Sequence, residues 1–267
     1  MTKFGLKKVY LFFSSAFIFL LHVPFVFAKT KPLGKAVTNS AEVQPIINAA
    51  PNRIMPDETN SKMNFYDSLR LGSLGLAKQV FEYAIRGFNC MKEMGNIENE
   101  NIISIIDFSK PSSQKRLFVI DLKNCKLLFN TYVAHGAKSG TAIANQFSNI
   151  PESNKSSLGF YETSGTYMGK NGYSLYLQGM EKGINDNAYK RDIVMHGAEY
   201  VSENLIRLKG YIGRSWGCPA VPQQLHRPII DKIKNGTCLF IFSPDRNYLS
   251  HSRILNRGGY GPDLAYN

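Results

Sequence analysis

The sequence predicts a mainly β fold of the α+β class, a β-sandwich or small barrel with flanking helices. Three observations predict it. Downstream of Lys110-Pro111-Ser112-Ser113 the chain breaks into short β-rich runs separated by Gly, Asn, Ser and Lys turns. Upstream, from Asn64 to Cys90, apolar residues recur at helical spacing. A third stretch, Pro222 to Lys234, carries the same helical spacing between the last two β-rich runs. Many strands with few helices are best satisfied by a closed or folded sheet with helices packed on it.

Taken in order, residues 1–28 read as an export signal: Lys3, Lys7 and Lys8 form a basic start, Val9 to Phe27 an apolar run, and Val26 and Ala28 offer small residues for cleavage. An uncleaved anchor is the alternative, since the apolar run is long enough to span a bilayer; the membrane would then be met only through this segment. Residues 29–63, rich in Pro, Asn, Ala, Thr and Lys without periodicity, read as a flexible linker. Leu69, Leu71, Leu74, Leu76, Val80, Phe81, Ala84 and Ile85 then mark one or two amphipathic helices. Strands are expected at Arg116 to Leu122, Leu127 to Ala134, Leu158 to Thr163, Ser174 to Gln178, Asp192 to Met195 and Cys238 to Phe242. The helix of Leu225, Ile229, Ile230 and Ile233 closes on an Asn235-Gly236 cap. Residues 64–245 therefore form the folded domain, and residues 246–267 an irregular wrap or loose end.

The formal charge is +12, and removal of residues 1–28, which carry three lysines and no acids, leaves +9. The excess is dispersed, with no block of like charge, which suits attraction to anionic envelope polymers. Nucleic acid is disfavoured as a partner by the export signal and by the lack of a basic recognition motif. Of the four cysteines, Cys90, Cys125, Cys218 and Cys238, no two are spaced as a metal clip. If Cys218 stays a thiol, at most one disulfide forms among the other three, and the sequence does not choose the pair.

Chemistry concentrates between Arg191 and Pro222. The strand-like Asp192-Ile193-Val194-Met195 delivers His196-Gly197 at its end, and Arg214-Ser215-Trp216-Gly217-Cys218-Pro219-Ala220-Val221-Pro222 follows. A cysteine nucleophile needs a base, backbone N–H groups facing the oxyanion and a turn that exposes the sulfur. His196 can take the thiol proton, the Gly217 and Cys218 amides can face the oxyanion, and Gly217 and Pro219 shape the turn. Against this stand bland readings: Cys218 as a small buried hydrophobe and His196 as a hydrogen-bonded strand residue.

His-Gly, a gap, then Ser-x-Gly-Cys resembles the signature of L,D-transpeptidases with the YkuD-type catalytic domain, in the divergent branch known as murein L,D-transpeptidase catalytic domain proteins. The resemblance also rests on Thr131 to Gly136, Phe147-Ser148-Asn149, Ser156 to Tyr161 and Gly183 to Ala188, and covers roughly Leu69 to Phe242. It implies a YkuD-like fold and a metal-free, cofactor-free reaction on peptidoglycan tetrapeptide stems in the periplasm or cell envelope. By the same resemblance Cys218 is the nucleophile at the carbonyl between diaminopimelate and D-alanine, and His196 the base. The Gly197 carbonyl orients that base, and Ser215, Trp216 and Gly217 frame the oxyanion site. A stem amine as acceptor gives a crosslink; water gives an L,D-carboxypeptidase.

Two positions depart from the pattern. Trp216 stands where a second histidine is usual, and Ala220 where an Arg or Asn follows, so Arg214 becomes the candidate for a substrate carboxylate. His135-Gly136 is a second His-Gly pair, read either as a substrate contact or as a packed histidine. Tyr161, Tyr167 and Tyr173 form a possible aromatic wall or core, and Asn185, Asp186 and Asn187 a turn or polar contacts. The rival functions are a wall-acting zinc peptidase using His135 and His196, which lacks a ligand-spaced motif, and a non-catalytic peptidoglycan-binding protein retaining the fold.

Overall fold

Ile102–Asp107, six residues all buried, form strand β1 at the heart of a mixed eight-stranded sheet. The others are β2 (Leu117–Asp121), β3 (Lys126–Thr131), β4 (Gly159–Gly169), β5 (Gly172–Gly179), β6 (Val194–Ala198), β7 (Ala220–Pro222) and β8 (Cys238–Phe242). Their spatial order is β3-β2-β1-β8-β4-β5-β6-β7. The computed structural model describes residues 65–257. The expected signal and linker and the last ten residues lie outside them.

The mainly β fold with flanking helices is what the structure shows, as one continuous sheet. Pairing is antiparallel except for β1 with β8 and β6 with β7. Strands β1 and β8 are covered on both faces, so neither alternates: β8 is an unbroken apolar run, and β1 is apolar but for the buried Ser104 and Asp107. Helix α1 (Lys78–Glu93) supplies one cover, burying Val80, Phe81, Ala84, Ile85, Phe88 and Met91. Each of these except the small Ala84 contributes on the order of 1.5–3 kcal/mol by leaving water. Gly87 permits the close approach: a Cβ there would stand 1.9 Å from the Phe160 ring, which stacks on Phe240 at 4.2 Å between centroids.

Several elements differ from expectation. Strand β1 and the three-residue β7 were not anticipated, nor was helix α2 (Glu203–Lys209), capped by Ser202 at one end and left-handed Gly210 at the other. The helix expected over Pro222 to Lys234 is the shorter α3 (His226–Ile233), which buries Ile229, Ile230 and Ile233. The stretch expected to be irregular after Asp245 opens as helix α4 (Arg246–His251), because Asp245 accepts from the Tyr248 amide. Glu181 then anchors it, accepting from the Tyr248 and Ser252 hydroxyls. Strand β6 begins and ends later than expected, so His196 sits within it rather than beyond it.

Candidate active site

The parallel pairing of β6 with β7 builds the site. Register sets His196 beside Ala220, so Cys218, two residues earlier, enters level with Val194. Side chains two apart on a strand share a face, which brings the sulfur and the imidazole to one side of the sheet. Both line a cleft of about 780 Å³ together with Tyr167, Arg191, Tyr200, Arg214 and Trp216.

His196 is nearly buried, and its Nδ1 lies 2.9 Å from its neighbour's carbonyl oxygen, that of Gly197. Nδ1 therefore carries the proton and Nε2 keeps its lone pair. Burial, and then the charge of His226, outweigh that hydrogen bond and lower the His196 pKa, so the ring rests neutral. The half-buried Cys218 thiol donates to the Asp192 carbonyl at 3.4 Å. Burial chiefly raises its pKa and Asp192 adds to that, while a hydrogen bond with the Val194 backbone and the Arg191 charge oppose. The resting pair is neutral thiol with neutral imidazole.

The turn that presents Cys218 is tied down from several sides. Ser215 Oγ donates to the Cys218 carbonyl at 2.6 Å and accepts from the Gly217 amide at 3.1 Å. Ser156 Oγ donates to the Gly217 carbonyl at 2.9 Å. Gly217 has φ +131, and a Cβ there would lie 2.8 Å from the Lys155 carbonyl, so only glycine fits. The amide of Gly217, expected to face the oxyanion, is instead committed to Ser215; Ser215 thus acts as the brace of the turn. Trp216 is 79% exposed at the rim of the cleft.

His135 does not line the cleft, so of its two readings the packed histidine is the one the structure shows, and the substrate contact is corrected. It is wholly buried, its Nδ1 accepting from Arg116 Nη2 at 2.8 Å and its Nε2 donating to the Gly140 carbonyl at 3.1 Å. With both nitrogens used it offers nothing to substrate or to zinc. Its backbone matters more: its carbonyl accepts from the Ser215 amide at 2.9 Å, and Ala137 N–H donates to the Ser215 carbonyl at 2.7 Å. Arg214 does line the cleft, with Nη1 anchored on the Ala137 and Gly140 carbonyls at 3.2 and 3.1 Å. Of the three tyrosines only Tyr167 lines the cleft; Tyr161 is fully buried and Tyr173 binds Asp231. Asn185 is buried on the Leu158 and Phe160 carbonyls, and Asp186 and Asn187 hold Asn149, so all three serve the loop.

Burial and the Arg116 charge push the His135 pKa down to about 4. The unfolded chain then binds more protons between about pH 6.5 and 4, so this contribution is full above 6.5 and lost as pH falls toward 4. His196, also lowered, acts in the same direction. Urea unfolding at pH 7.5 and pH 5 is expected to show lower stability at pH 5, by up to about 1.4 kcal/mol per pH unit for His135. A His135→Asn variant, which accepts from Arg116 and donates to Gly140 without titrating, is expected to flatten that slope.

All four cysteines are free thiols. Arg191 and Asp192 were missed as site residues: nothing in their spacing marks them, and only the left-handed backbone of Asp192, φ 54, turns its carbonyl toward the sulfur.

Residues 73–242 match the family model described as the L,D-transpeptidase catalytic domain. No curated protein matches the chain. Among solved structures it is similar to an L,D-transpeptidase from Mycobacterium smegmatis, with 10% identity and a TM-score of 0.34 over 54% of this chain and 59% of that one. It is also similar to a mutant of the helical cell shape determining protein Pgp2 from Campylobacter jejuni, with 13% identity and a TM-score of 0.37 over 62% and 56%. A third is L,D-transpeptidase 3 from Mycobacterium tuberculosis, with 9% identity and a TM-score of 0.34 over 54% and 61%. The chain thus spans less than two thirds of the length of each of these. On the match of residues 73–242, the chain belongs to the family of L,D-transpeptidase catalytic domains.

Proposed function

We propose that this protein is an exported cysteine acyltransferase of the cell envelope acting on peptidoglycan tetrapeptide stems, with Cys218 as nucleophile and His196 as base. The observation that carries the reading is the contact of His196 Nδ1 with the Gly197 carbonyl in a cleft that Cys218 also lines: a carbonyl only accepts, so the proton sits on Nδ1 and Nε2 is left basic. Export rests on the signal pattern of residues 1–28.

The chemistry runs as two transfers. Nε2 takes the thiol proton as sulfur bonds to the carbonyl between diaminopimelate and D-alanine. The oxyanion is met by the Trp216 and Cys218 amides, since that of Gly217 is committed. Collapse breaks the C–N bond, the imidazolium returns its proton to the leaving amine, and D-alanine departs from a Cys218 thioester. An acceptor amine then loses a proton to His196 and displaces the sulfur, giving a crosslink; water gives the carboxypeptidase outcome. Arg214, fixed through Nη1, presents its Nε/Nη2 edge to a substrate carboxylate.

The raised thiol pKa favours a second reading, a binding protein with a silent site. A neutral pair nonetheless suffices if the proton moves only as substrate is attacked. Incubation with disaccharide tetrapeptide, and separately with a carbapenem, followed by peptide mapping, separates the two. The acyltransferase reading expects a covalent adduct on the Cys218 peptide and released D-alanine; unmodified Cys218 with both reagents leaves the binding protein.

A further inference from the structure

Arg191 stands at the end of the 3-10 turn Tyr189–Arg191, immediately before the left-handed Asp192. Its Nη1 donates to the Ser148 carbonyl at 2.6 Å and Ser157 Oγ at 2.5 Å; its Nη2 donates to the Lys155 carbonyl at 2.7 Å and Ser153 Oγ at 3.1 Å. All four acceptors are neutral. Among the described residues the ion pairs join Lys92 with Glu100 and Lys234 with Asp231, and Arg191 enters neither. A half-buried guanidinium is thus fully hydrogen-bonded at both terminal nitrogens and paired with no anion. Its Nη2 lies 3.5 Å from where a Cβ on Gly217 would stand, next to the nucleophile, and it lines the same cleft.

We propose that Arg191 is a positioning residue that supplies the fixed positive charge for the Cys218 thiolate, held in place by a cradle of four oxygens from residues 148–157. The inference rests on the reading of Cys218 as nucleophile. Tyr161 and Cys218 are the groups whose negative charge acts on Arg191. Tyr161 is fully buried and its pKa is driven up, so it stays neutral. The cation therefore meets an anion only when the sulfur ionises, which favours the charged step over the resting state. Other groups face the sulfur too. Asp192 opposes ionisation, the phenols of Tyr167 and Tyr200 feel the thiolate, and His196, with His226 behind it, receives the proton. A planar fork reaches four oxygens at once, which an ammonium with three donors cannot.

The test is the pH dependence of Cys218 alkylation by iodoacetamide in the purified protein, read peptide by peptide with Cys125 as internal reference. Arg191→Gln is expected to raise the Cys218 midpoint by about one unit and to slow carbapenem acylation at pH 7 about tenfold. Arg191→Lys is expected to restore part of both. An unchanged midpoint in Arg191→Gln, even with a lowered melting temperature, overturns the proposal and leaves Arg191 a scaffold. If Arg191→Gln does not fold, Arg191→Met, which keeps much of the stem and removes the charge, decides at low temperature: a midpoint raised by about one unit supports the fixed charge, and an unshifted one overturns it. Wild-type Cys218 that alkylates no faster than Cys125 at any pH removes the nucleophile reading itself and this inference with it.

Discussion

Replacement of His196 by alanine is expected to slow acylation of Cys218 by about 10²–10⁴-fold, the range of a positioned general base, while Cys218→Ala removes the adduct altogether. The size follows from the resting state. Burial keeps the thiol protonated, so without a base almost no thiolate is present at neutral pH. The lowered His196 pKa keeps Nε2 unprotonated and ready across the same range. Acylation by wild type is therefore expected to rise with pH and level off once His196 is neutral, whereas the alanine variant should follow only thiol ionisation and keep rising into alkaline solution. Stopped-flow acylation by a carbapenem from pH 5 to 9 measures both rate and shape. A His196→Ala variant with the wild-type rate and profile would remove His196 from the mechanism.

The sequence carried the outer parts of this site better than its inner ones. Cys218 and His196 could be picked out from residue type alone as a nucleophile and base to look for, and the fold lines one cleft with both, while the apolar run Cys238 to Phe242 was legible as a strand with the ends it has. Strand β1 was not: like β8 it is buried along its whole length and has no alternation to find, but Ser104 and Asp107 also interrupt its apolar run. Strand β7 is three residues long and exists because β6 lies beside it, not because its own residues favour extension. The roles of His135 and Ser215 were invisible for another reason. A His-Gly pair reads alike whether the ring faces solvent or a buried arginine. Only the fold brings Arg116, nineteen residues earlier, to its Nδ1. Likewise Gly217 was read for its freedom, but the fate of its amide depended on the Ser215 rotamer.

Arg116→Met is expected to destabilise the domain by about 3–5 kcal/mol, the effect of stripping one partner from a buried polar cluster. Arg116 is fully buried. Its Nε and Nη2 donate to the Val133 carbonyl at 3.1 and 2.8 Å, Nη1 to the Lys110 carbonyl at 2.9 Å, and Nη2 to His135. Methionine fills much of the volume but leaves two carbonyls and an imidazole nitrogen without donors in a dry interior. Arg227 is the internal comparison. It stacks over Tyr173 at 4.5 Å, much as Arg116 stacks over Phe108 at 4.7 Å, yet on a solvent-facing side of the protein. If stacking set the energy the two substitutions would match; because burial and hydrogen bonding set it, Arg227→Met should stay within about 0.5 kcal/mol of wild type. Urea midpoints at pH 7.5 with unchanged slope measure both. The loss should also reach the nucleophile, since the chain from Val133 to Ala137 pairs with Ser215 and Ala220 on either side of Cys218. Arg116→Met protein that is still folded at low temperature should therefore acylate more slowly than wild type, and an unchanged rate there would mean that the turn keeps its shape without the buried arginine.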